Sequence, residues 1–224
     1  MYAGNKSYEG LADLPSSLMV FPLPGVLLLP RGELPLNIFE PRYLNMVDAA
    51  LRGDRMIGMV QPRFDVGDVD LAGNPPLCSV GCAGRITGFM ESGDGRYRIT
   101  LTGVARFRIG DELDGRKGYR ICRISAGEFV HDLLEAEGED AVDRAGLLRA
   151  LRAYLKANNM ETDWESISNA STEILVNALS MMSPYGPAEK QALLEAEDLK
   201  ARADTLIAIT EMELARGGGS STLQ

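Results

Sequence analysis

A proline-interrupted apolar stretch near the start of the chain is the feature that most limits how this sequence can fold. Residues 21–43 read FPLPGVLLLPRGELPLNIFEPRY, with five prolines and two glycines among mostly apolar residues. The apolar run 26–29 is far shorter than the roughly 20 residues needed to cross a bilayer, and the stretch as a whole is too apolar for a linker. Because proline cannot donate a hydrogen bond to a neighbouring strand, we expect short strands at 18–23 and 26–29 that either are edge strands or have their prolines at strand ends.

Charge and composition divide the chain near residue 130. Residues 1–130 carry 15 basic and 15 acidic side chains, whereas residues 131–224 carry 8 and 17, which supplies the whole net charge of −9. Glycine and proline are concentrated before the division, and alanine, leucine and glutamate after it. We therefore expect two architectural parts. The acidic second part disfavours a nucleic-acid partner on that side, because phosphate binding needs clustered cations.

The first part has the pattern of a small barrel or curled sheet with one early helix. Strands are predicted at 18–23, 26–29, 34–38, 55–61, 78–90, 96–109 and 119–129, with a long exposed loop over 62–76. The pair Asp94-Gly95 is a strong hairpin signal, and Gly103 interrupts the alternation of its strand as a bulge would. Pro41 suits the first position of a helix over 41–52, and Gly53 suits its C-terminal cap.

The second part has helical periodicity. Apolar residues recur at spacings of three and four, which predicts helices at 139–157, 164–182 and 187–216. At 1.5 Å per residue the last of these is roughly 45 Å long. These helices either pair with one another, or the longest offers a face to a partner. The tail GGGSSTLQ is predicted to be disordered.

The sequence offers no recognisable catalytic centre. The single histidine, His131, lies at the boundary between sheet and helices and is interpreted as a solvated turn residue. Neither GxSxG nor HExxH occurs. The glycine-containing loop 110–117, GDELDGRK, lacks the Lys-Ser/Thr ending of a phosphate-binding loop and carries three acids, so it is predicted to be a hairpin turn. Paired acids such as Asp111 and Glu112 are interpreted as solvated surface, so an enzyme acting through carboxylates is disfavoured.

Three cysteines and His131 have the composition of a zinc site but not its spacing. Cys78 and Cys82 lie four residues apart on a predicted strand, hence about 13 Å apart at 3.2–3.4 Å per residue. With Cys122 they are interpreted as apolar packing residues, and neither metal nor cofactor is predicted. An odd number of cysteines does not indicate a disulfide framework, and the polar first ten residues do not resemble a signal peptide. A cytoplasmic location without membrane attachment is therefore expected.

Motifs in a fixed order carry a family resemblance. FPLPGVLLLPRGELPLNIFEPRYLNMVDAAL, then MIGMVQPR, SVGCAGRI and RYRITLTGVARFRI, and finally KQALLEAEDLKARADTLIAI resemble the N-terminal, substrate-binding domain of the Lon protease family over about residues 18–214. This resemblance implies an α+β fold, with a PUA-like β pseudo-barrel followed by a C-terminal α-helical bundle. The expected organisation is an N-terminal arm at 1–17, the barrel at 18–130, a helical subdomain at 131–216 and a disordered tail at 217–224.

The resemblance also implies a function. Lon proteases continue into an ATPase with a Walker loop and a Ser-Lys protease domain, and neither is found in this sequence, so we expect a stand-alone, non-catalytic module that binds unfolded or partner polypeptides. It would act as an adaptor or regulator in protein quality control, with a Lon-type protease as a candidate partner. The predicted binding face has Phe39, Tyr43 and Met46 as apolar surface and Glu40, Arg42 and Gln61 as its polar rim. The competing interpretation of PLNIFEPRY is a structural corner, in which Arg42 pairs with a carboxylate and the aromatic rings are core.

RNA binding is the alternative function, because PUA-like barrels also occur in RNA-modifying proteins. Seven arginines lie on neighbouring predicted strands and would form its basic face: Arg85, Arg96, Arg98, Arg106, Arg108, Arg120 and Arg123. Interleaved acids and few exposed aromatic residues disfavour it. The sequence does not indicate the oligomeric state.

Overall fold

A computed structural model describes residues 1–63, 74–113 and 118–219 of the chain. The predicted α+β class is confirmed: strands occupy the first part of the chain, and the described helices, except one short 3₁₀ turn and α1 (Pro41–Arg52), follow the last strand. The strands are β1 (Tyr2–Ala3), β2 (Lys6–Ser7), β3 (Ser17–Pro22), β4 (Glu33–Ile38), β5 (Met56–Pro62), β6 (Leu77–Glu91), β7 (Tyr97–Leu113) and β8 (Arg120–Ser125). The predicted loop 62–76 lies largely outside the described residues. Of the predicted turn 110–117, the first four residues belong to β7 and the last four lie outside the described residues.

Six of these strands close into a pseudo-barrel. They are ordered β4-β7-β6-β5-β3-β8, and β8 pairs again with β7, which closes the ring. Closure is possible because β7 is long: its first half pairs with β4 and its second half with β8. All pairings are antiparallel except that between β3 and β5. Strands β1 and β2 form a separate hairpin, after which Tyr8 is fully buried against the barrel.

The structure decides between the two positions predicted for the prolines of the first strand. Pro22 ends strand β3, as the strand-end alternative predicted, whereas β3 is not an edge strand, because it has β8 on one side and β5 on the other. Among the described residues the edge strand is β4, which pairs with β7 alone and contains Pro35 at an exposed position. A missing backbone donor is tolerated at both kinds of position.

The predicted strand 26–29 does not form. These residues run through a loop between β3 and β4, and Leu27, Leu28 and Leu29 are buried there. Their backbone passes so close to β7 that a Cβ on Gly103 would overlap the carbonyl oxygen of Leu29. The predicted bulge at Gly103 is confirmed by a register shift opposite Ala83 and Gly84. The apolar run therefore fills the core by close contact with β7 rather than by pairing.

Helix α1 (Pro41–Arg52) is confirmed with its predicted bounds. Pro41 occupies the first turn, and Gly53 is the C-cap, whose N–H bonds to the carbonyl of Ala50. Its buried face carries Tyr43, Met46 and Val47 onto the barrel core. These signals are local in sequence, which is why the prediction succeeded.

The other helices are shorter and more numerous than predicted. They are α2 (Arg144–Ala157), α3 (Trp164–Asn169), α4 (Thr172–Met182), α5 (Pro187–Glu195) and α6 (Leu199–Gly219), with 3₁₀ turns at Leu11–Asp13, Gly127–Leu133 and Glu139–Ala141. The predicted helix 164–182 breaks at Ala170, which is extended, and Ser171 caps α4 by accepting from the N–H of Ile174. The predicted helix 187–216 breaks at Ala196, and the predicted strand 119–129 ends at Ser125.

Buried arginine Arg106 of β7 explains the break between α5 and α6. Its Nη1 donates to the carbonyl oxygens of Leu194 and Ala196, which are left without helical partners at the end of α5. Asp198 then begins α6 by accepting from the N–H of Ala201 (2.7 Å). A strand distant in sequence thus fixes where the helix turns.

The described helices pack on one another and on the barrel. Helix α6 contacts α2, α4 and α5, and it reaches into the first three residues of the predicted tail 217–224. The remaining tail residues lie outside the described part of the chain, so the predicted domain bounds stay a prediction. Among residues 1–63, 74–113 and 118–219, no helix combines the length and the apolar content that a bilayer crossing requires.

Candidate functional site

The open edge of β4 borders a trough that is largely built by the proline-interrupted stretch. One wall is the loop from Leu23 to Gly32, the other is β4 itself, and helix α4 closes one end. We call this feature the β4 trough. It has two depressions, of about 420 Å³ and about 170 Å³. Along both walls the residues of one depression follow those of the other directly in sequence, Gly25 after Pro24 and Leu36 after Pro35.

The larger depression lies between α4 and the start of β4. Its lining is mostly apolar and includes Val26, Leu34, Ile174, Met181 and Met182. Ile174 is 57% exposed and Met182 is 82% exposed, which is unusual for large apolar side chains at a concave surface. This end of the β4 trough therefore offers uncovered apolar surface.

An ion pair at the base of the larger depression attaches α4 to the loop. The guanidinium of Arg31 bonds the carboxylate of Glu173 through Nε and Nη2, and its Nη1 donates to the carbonyl oxygen of Asp132 (2.8 Å). Arg31 has a φ of +63°, a conformation that a non-glycine residue rarely adopts. Nearby, Asn177 donates to the carbonyl oxygen of Pro30 (3.2 Å). These bonds set the width of the depression.

Helix α5 fixes the methionine end of α4. Lys190 is buried, and its Nζ donates to the carbonyl oxygens of Ser180 and Met181 at the C-terminus of α4. Burial lowers the pKa of this ammonium. A cation at this position also complements the negative end of the helix dipole. Met181 and Met182 are therefore presented from an anchored helix end.

The smaller depression lies at the other end of the β4 trough, beside the start of α1. Phe39 is 62% exposed there, whereas Tyr43 is buried with its ring 4.2 Å from the ring of Phe21. Burial raises the pKa of the Tyr43 hydroxyl. Arg42 bonds the carboxylate of Glu40 at 2.9 Å and stacks on Tyr43, 4.6 Å from its ring centre. Apolar rings thus form the wall, and one ion pair forms the rim.

The six residues predicted for the binding face differ in exposure, since some lie at the surface and others are buried. Phe39, Glu40 and Arg42 lie at the surface as predicted, and the Arg42–carboxylate pair and the packed ring of Tyr43 also agree with the structural-corner interpretation. The prediction of Tyr43 as exposed apolar surface is wrong, because its ring is buried, although it borders the smaller depression. The predictions for Met46 and Gln61 are also wrong. Met46 is fully buried, because it lies on the core face of α1.

Gln61 is an internal bridge rather than part of a rim. It is 2% exposed, accepts from the N–H of Gly25 (2.9 Å), and donates to Pro187 and Gln191 at the start of α5. It therefore joins the loop wall of the β4 trough to the helices. The side-chain amide of Gln61 has both donors and an acceptor, which suits a junction of three segments. The residues around Gln61 in the sequence do not indicate this role.

The residues that the sequence prediction missed are those of α4. Apolar periodicity does not distinguish Ile174, which is exposed and lines the larger depression, from the buried apolar residues of the same helix, such as Leu175 and Val176. Met181 and Met182 carry one usable signal, a pair of methionines directly before the helix-ending turn SPYGP. Flexible, polarizable side chains of this kind are frequent at adaptable binding surfaces.

The arginines of the alternative RNA-binding face do not form a common basic surface. Arg106 is buried, Arg108 pairs with Glu128, and Arg120 pairs with Glu112. Arg96 pairs with Asp94, and Arg85 donates to the carbonyl oxygen of Asp54, all between described residues. Most of the predicted positive charge is therefore neutralised or internal. This arrangement does not favour RNA binding.

The three cysteines and His131 lie in environments that differ from that of a metal site. Cys78, Cys82 and Cys122 are buried, and burial raises the pKa of the Cys82 and Cys122 thiols. His131 is partly exposed, and its Nε2 lies 3.1 Å from Nη2 of Arg106. The histidine is thus part of the junction around Arg106 rather than a solvated turn residue.

Comparison with known proteins identifies the family. The sequence model of the ATP-dependent protease La (LON) substrate-binding domain matches residues 17–211. Lon protease 2 of Sorangium cellulosum is 31% identical over 88% of this chain, and the Lon protease of Escherichia coli K12 is 24% identical over 87%. The chain spans about a quarter of the length of these relatives, 25% and 24% respectively.

Two solved structures share the fold. The N-terminal domain of the Mycobacterium avium complex Lon protease superposes with a TM-score of 0.64 at 20% identity, covering 87% of this chain and 98% of that one. A Lon N-terminal domain protein from Xanthomonas campestris gives a TM-score of 0.60 at 23% identity with the same coverage. The barrel and helices described above are therefore an arrangement already seen in such domains. The family match over residues 17–211 shows that the chain belongs to the family of the Lon substrate-binding domain.

Proposed function

We propose that this chain is a recognition module that binds apolar segments of unfolded or partner polypeptides in the β4 trough without cleaving them. The observation that carries the proposal is the uncovered apolar surface of the trough, in a chain whose family is described as substrate-binding. Covering the exposed parts of Ile174 and Met182 would contribute about 1–2 kcal/mol for each side chain. An apolar segment of a bound polypeptide, called the client below, would cover these side chains.

Binding rather than catalysis is the chemistry that suits the polar groups of the trough. Arg31 is engaged by Glu173 and Arg42 by Glu40, so these groups hold walls and rim in place. None of these pairs has the form of a nucleophile beside a general base. We infer that any cleavage of a bound client depends on a separate protease, with a Lon-type protease as the candidate partner and the cytoplasm as the compartment.

A binding assay with a matched surface control tests the proposal. Fluorescently labelled, reduced and carboxymethylated lysozyme serves as the unfolded polypeptide, and anisotropy reports its binding. The double variant Ile174→Lys/Met182→Lys should bind at least about tenfold more weakly, because each lysine replaces apolar contact by a hydrated charge. Met212→Lys, on an exposed position of α6, should bind as the parent chain does.

Failure of the parent chain to bind any unfolded polypeptide would overturn the proposal, as would equal binding by the double variant. Mass spectrometry of the lysozyme after incubation tests the second half of the proposal, since new fragments would contradict binding without cleavage. An adaptor role predicts that the parent chain changes the rate at which a Lon-type protease degrades the same client, and that the double variant does not.

A further inference from the structure

Strand β4 has an open side along the trough. It pairs with β7 through the register Glu33↔Thr102 to Ile38↔Tyr97, and within the described part of the chain the sheet order gives it no second neighbour. An unpaired strand side presents a row of backbone donors and acceptors to solvent. The question is which residues of β4 provide them.

The hydrogen bond between Gly103 and Gly32 determines which residues of β4 direct their backbone groups to the open side. The N–H of Gly103 donates to the carbonyl oxygen of Gly32 (2.9 Å), and the carbonyl oxygen of Gly103 accepts from the N–H of Arg31 (2.8 Å). Arg31 and Gly32 together therefore take the place of one hydrogen-bonded partner of Gly103, and the carbonyl group of Gly32 faces β7. Hydrogen-bonded and non-hydrogen-bonded pairs alternate along an antiparallel ladder. Leu34, Leu36 and Ile38 therefore direct their backbone groups to β7. Glu33, Pro35 and Asn37 direct theirs to the open side, where Glu33 and Asn37 offer a donor and an acceptor and Pro35 an acceptor only.

The side chains of β4 also alternate, with those of Glu33, Pro35 and Asn37 on one face of the strand and those of Leu34 and Leu36 on the other. Glu33, Pro35 and Asn37 are exposed, whereas Leu34 and Leu36 are partly buried against the core. Residues 33–35 line the larger depression and residues 36–38 the smaller one. A strand added on the open side would place residues opposite Leu34 and Leu36 on the same face as these leucines. Two client side chains separated by one residue, about 7 Å apart along a strand, would thus enter the two depressions.

We propose that the β4 edge binds its client as an additional β-strand whose sequence has the pattern apolar–any–apolar. This inference rests on the proposed function and specifies the binding mode and the client. Backbone bonds to Glu33, Pro35 and Asn37 supply affinity, and the two depressions select the apolar residues. Pro35 removes one donor from the edge, which weakens indiscriminate strand pairing without preventing it.

Charge adds a second element of selection. Glu33 is exposed at the end of β4, and among the described residues no ion pair joins it. The chain as a whole carries a net charge of −9. A lysine or arginine flanking the apolar pair is therefore expected to strengthen binding, and this preference weakens as salt rises.

The test uses a labelled nine-residue peptide with leucine at its fourth position, methionine at its sixth, threonine or serine elsewhere in the middle, and lysine at both ends. One derivative carries N-methyl groups on the amides of the third and fifth residues, which would donate to β4. The matched derivative carries them on the fourth and sixth, whose amides point away from β4. The first should bind about tenfold or more weakly, because two hydrogen bonds are lost, and the second should bind within about twofold of the unmodified peptide.

One variant of the same edge is compared with a surface control. Asn37→Pro removes an outward donor, while Met212→Ala changes an exposed side chain of α6 that lines neither depression. The peptide should bind Asn37→Pro about threefold to tenfold more weakly and Met212→Ala unchanged. Thermal unfolding of both variants shows whether the proline leaves the barrel folded, and the N-methyl comparison on the parent chain is independent of that result.

The outcomes separate this inference from the proposed function. Equal binding of the two N-methylated peptides would overturn strand addition while unfolded lysozyme still bound through Ile174 and Met182. Loss of all binding to the parent chain would remove both. If sedimentation showed instead that the chain dimerises and that only Asn37→Pro dissociates the dimer, the edge would serve a second copy, and the client-strand proposal would be wrong.

Discussion

Arg106 and Asp132 form a buried ion pair between strand β7 and the 3₁₀ turn that follows the barrel. The guanidinium donates from Nε and Nη2 to the carboxylate at 2.9 and 2.8 Å, and the backbone N–H of Arg106 donates to the same carboxylate at 2.8 Å. Arg106 is 1% exposed and Asp132 is 5% exposed. Through Nη1 the same arginine holds the carbonyl groups at the end of α5. One pair thus joins barrel, turn and helices.

Asp132→Asn should destabilise the chain by about 3–5 kcal/mol, because it leaves the charge of Arg106 buried without its counterion. Urea denaturation followed by circular dichroism measures the change. Arg108→Ala breaks the exposed pair with Glu128 and should shift the midpoint little. Equal midpoints for the two variants would contradict the role given to Arg106.

Gly103→Ala should be among the most damaging single substitutions of the barrel. A Cβ at this position would overlap the carbonyl oxygen of Leu29, so the loop wall of the trough would have to move away from β7. We expect a loss of about 2–4 kcal/mol, in the range of other overpacked core sites. Gly10→Ala, where no atom lies within 4 Å of the added carbon, is the control and should unfold at nearly the parent denaturant concentration.

The sequence predicted those elements whose signals are local. Helix α1 has a proline at its start and a glycine at its end, which set its two bounds, and a regular apolar face, which identifies the segment as a helix. The breaks near Ala170 and Ala196 could not be predicted, because apolar periodicity continues across both. Arg106 fixes the second break from a distant strand, and no pattern within 187–216 contains that information.

The binding face was predicted in part for the same reason. The stretch 21–43 identified the loop, the edge strand and the start of α1, which together border most of the trough. Whether an apolar residue of that stretch is exposed, as Phe39 is, or buried, as Met46 is, depends on which elements pack over it. Helix α4, which closes one end of the trough, docks through Asn177 and Glu173, and its position is a property of the tertiary structure alone.

Tyr43 gives a prediction for alkaline pH. Burial raises the pKa of its hydroxyl above the ordinary value of 10.0, so the folded state favours the protonated form. Its contribution to stability is fully present below pH 10 and is lost as the pH rises through the folded-state pKa. Tyr43→Phe removes this proton linkage, so the free energy of unfolding of the parent should fall more steeply above pH 10 than that of the variant, by up to about 1.4 kcal/mol per pH unit. Parallel curves between pH 8 and 11 would contradict the prediction.

Glu173→Gln should weaken both the fold and client binding. The substitution removes the charge that holds Arg31, a residue already in an unfavourable backbone conformation, and so loosens α4 from the loop. We expect about 2–3 kcal/mol of destabilisation, measured by urea denaturation, and at least a threefold loss of affinity for unfolded lysozyme at a temperature where the variant remains folded. Unchanged affinity in a destabilised variant would show that the width of the larger depression does not govern binding.

Phe39 and Gln61 were predicted for the same face, and their opposite environments now separate stability from binding. Phe39→Ala removes an exposed ring at the smaller depression, so it should reduce peptide affinity about threefold or more while the free energy of unfolding changes by less than about 0.5 kcal/mol. Gln61→Ala leaves the N–H of Gly25 and the carbonyl oxygen of Pro187 without their partner, so it should cost about 1–3 kcal/mol of stability. Its peptide affinity, measured by anisotropy well below the unfolding midpoint, should remain within about twofold of the parent, because the side chain does not reach the trough surface. The reverse pattern, with Gln61→Ala deficient in binding and Phe39→Ala unaffected, would mean that clients contact the junction with α5 and not the edge of β4.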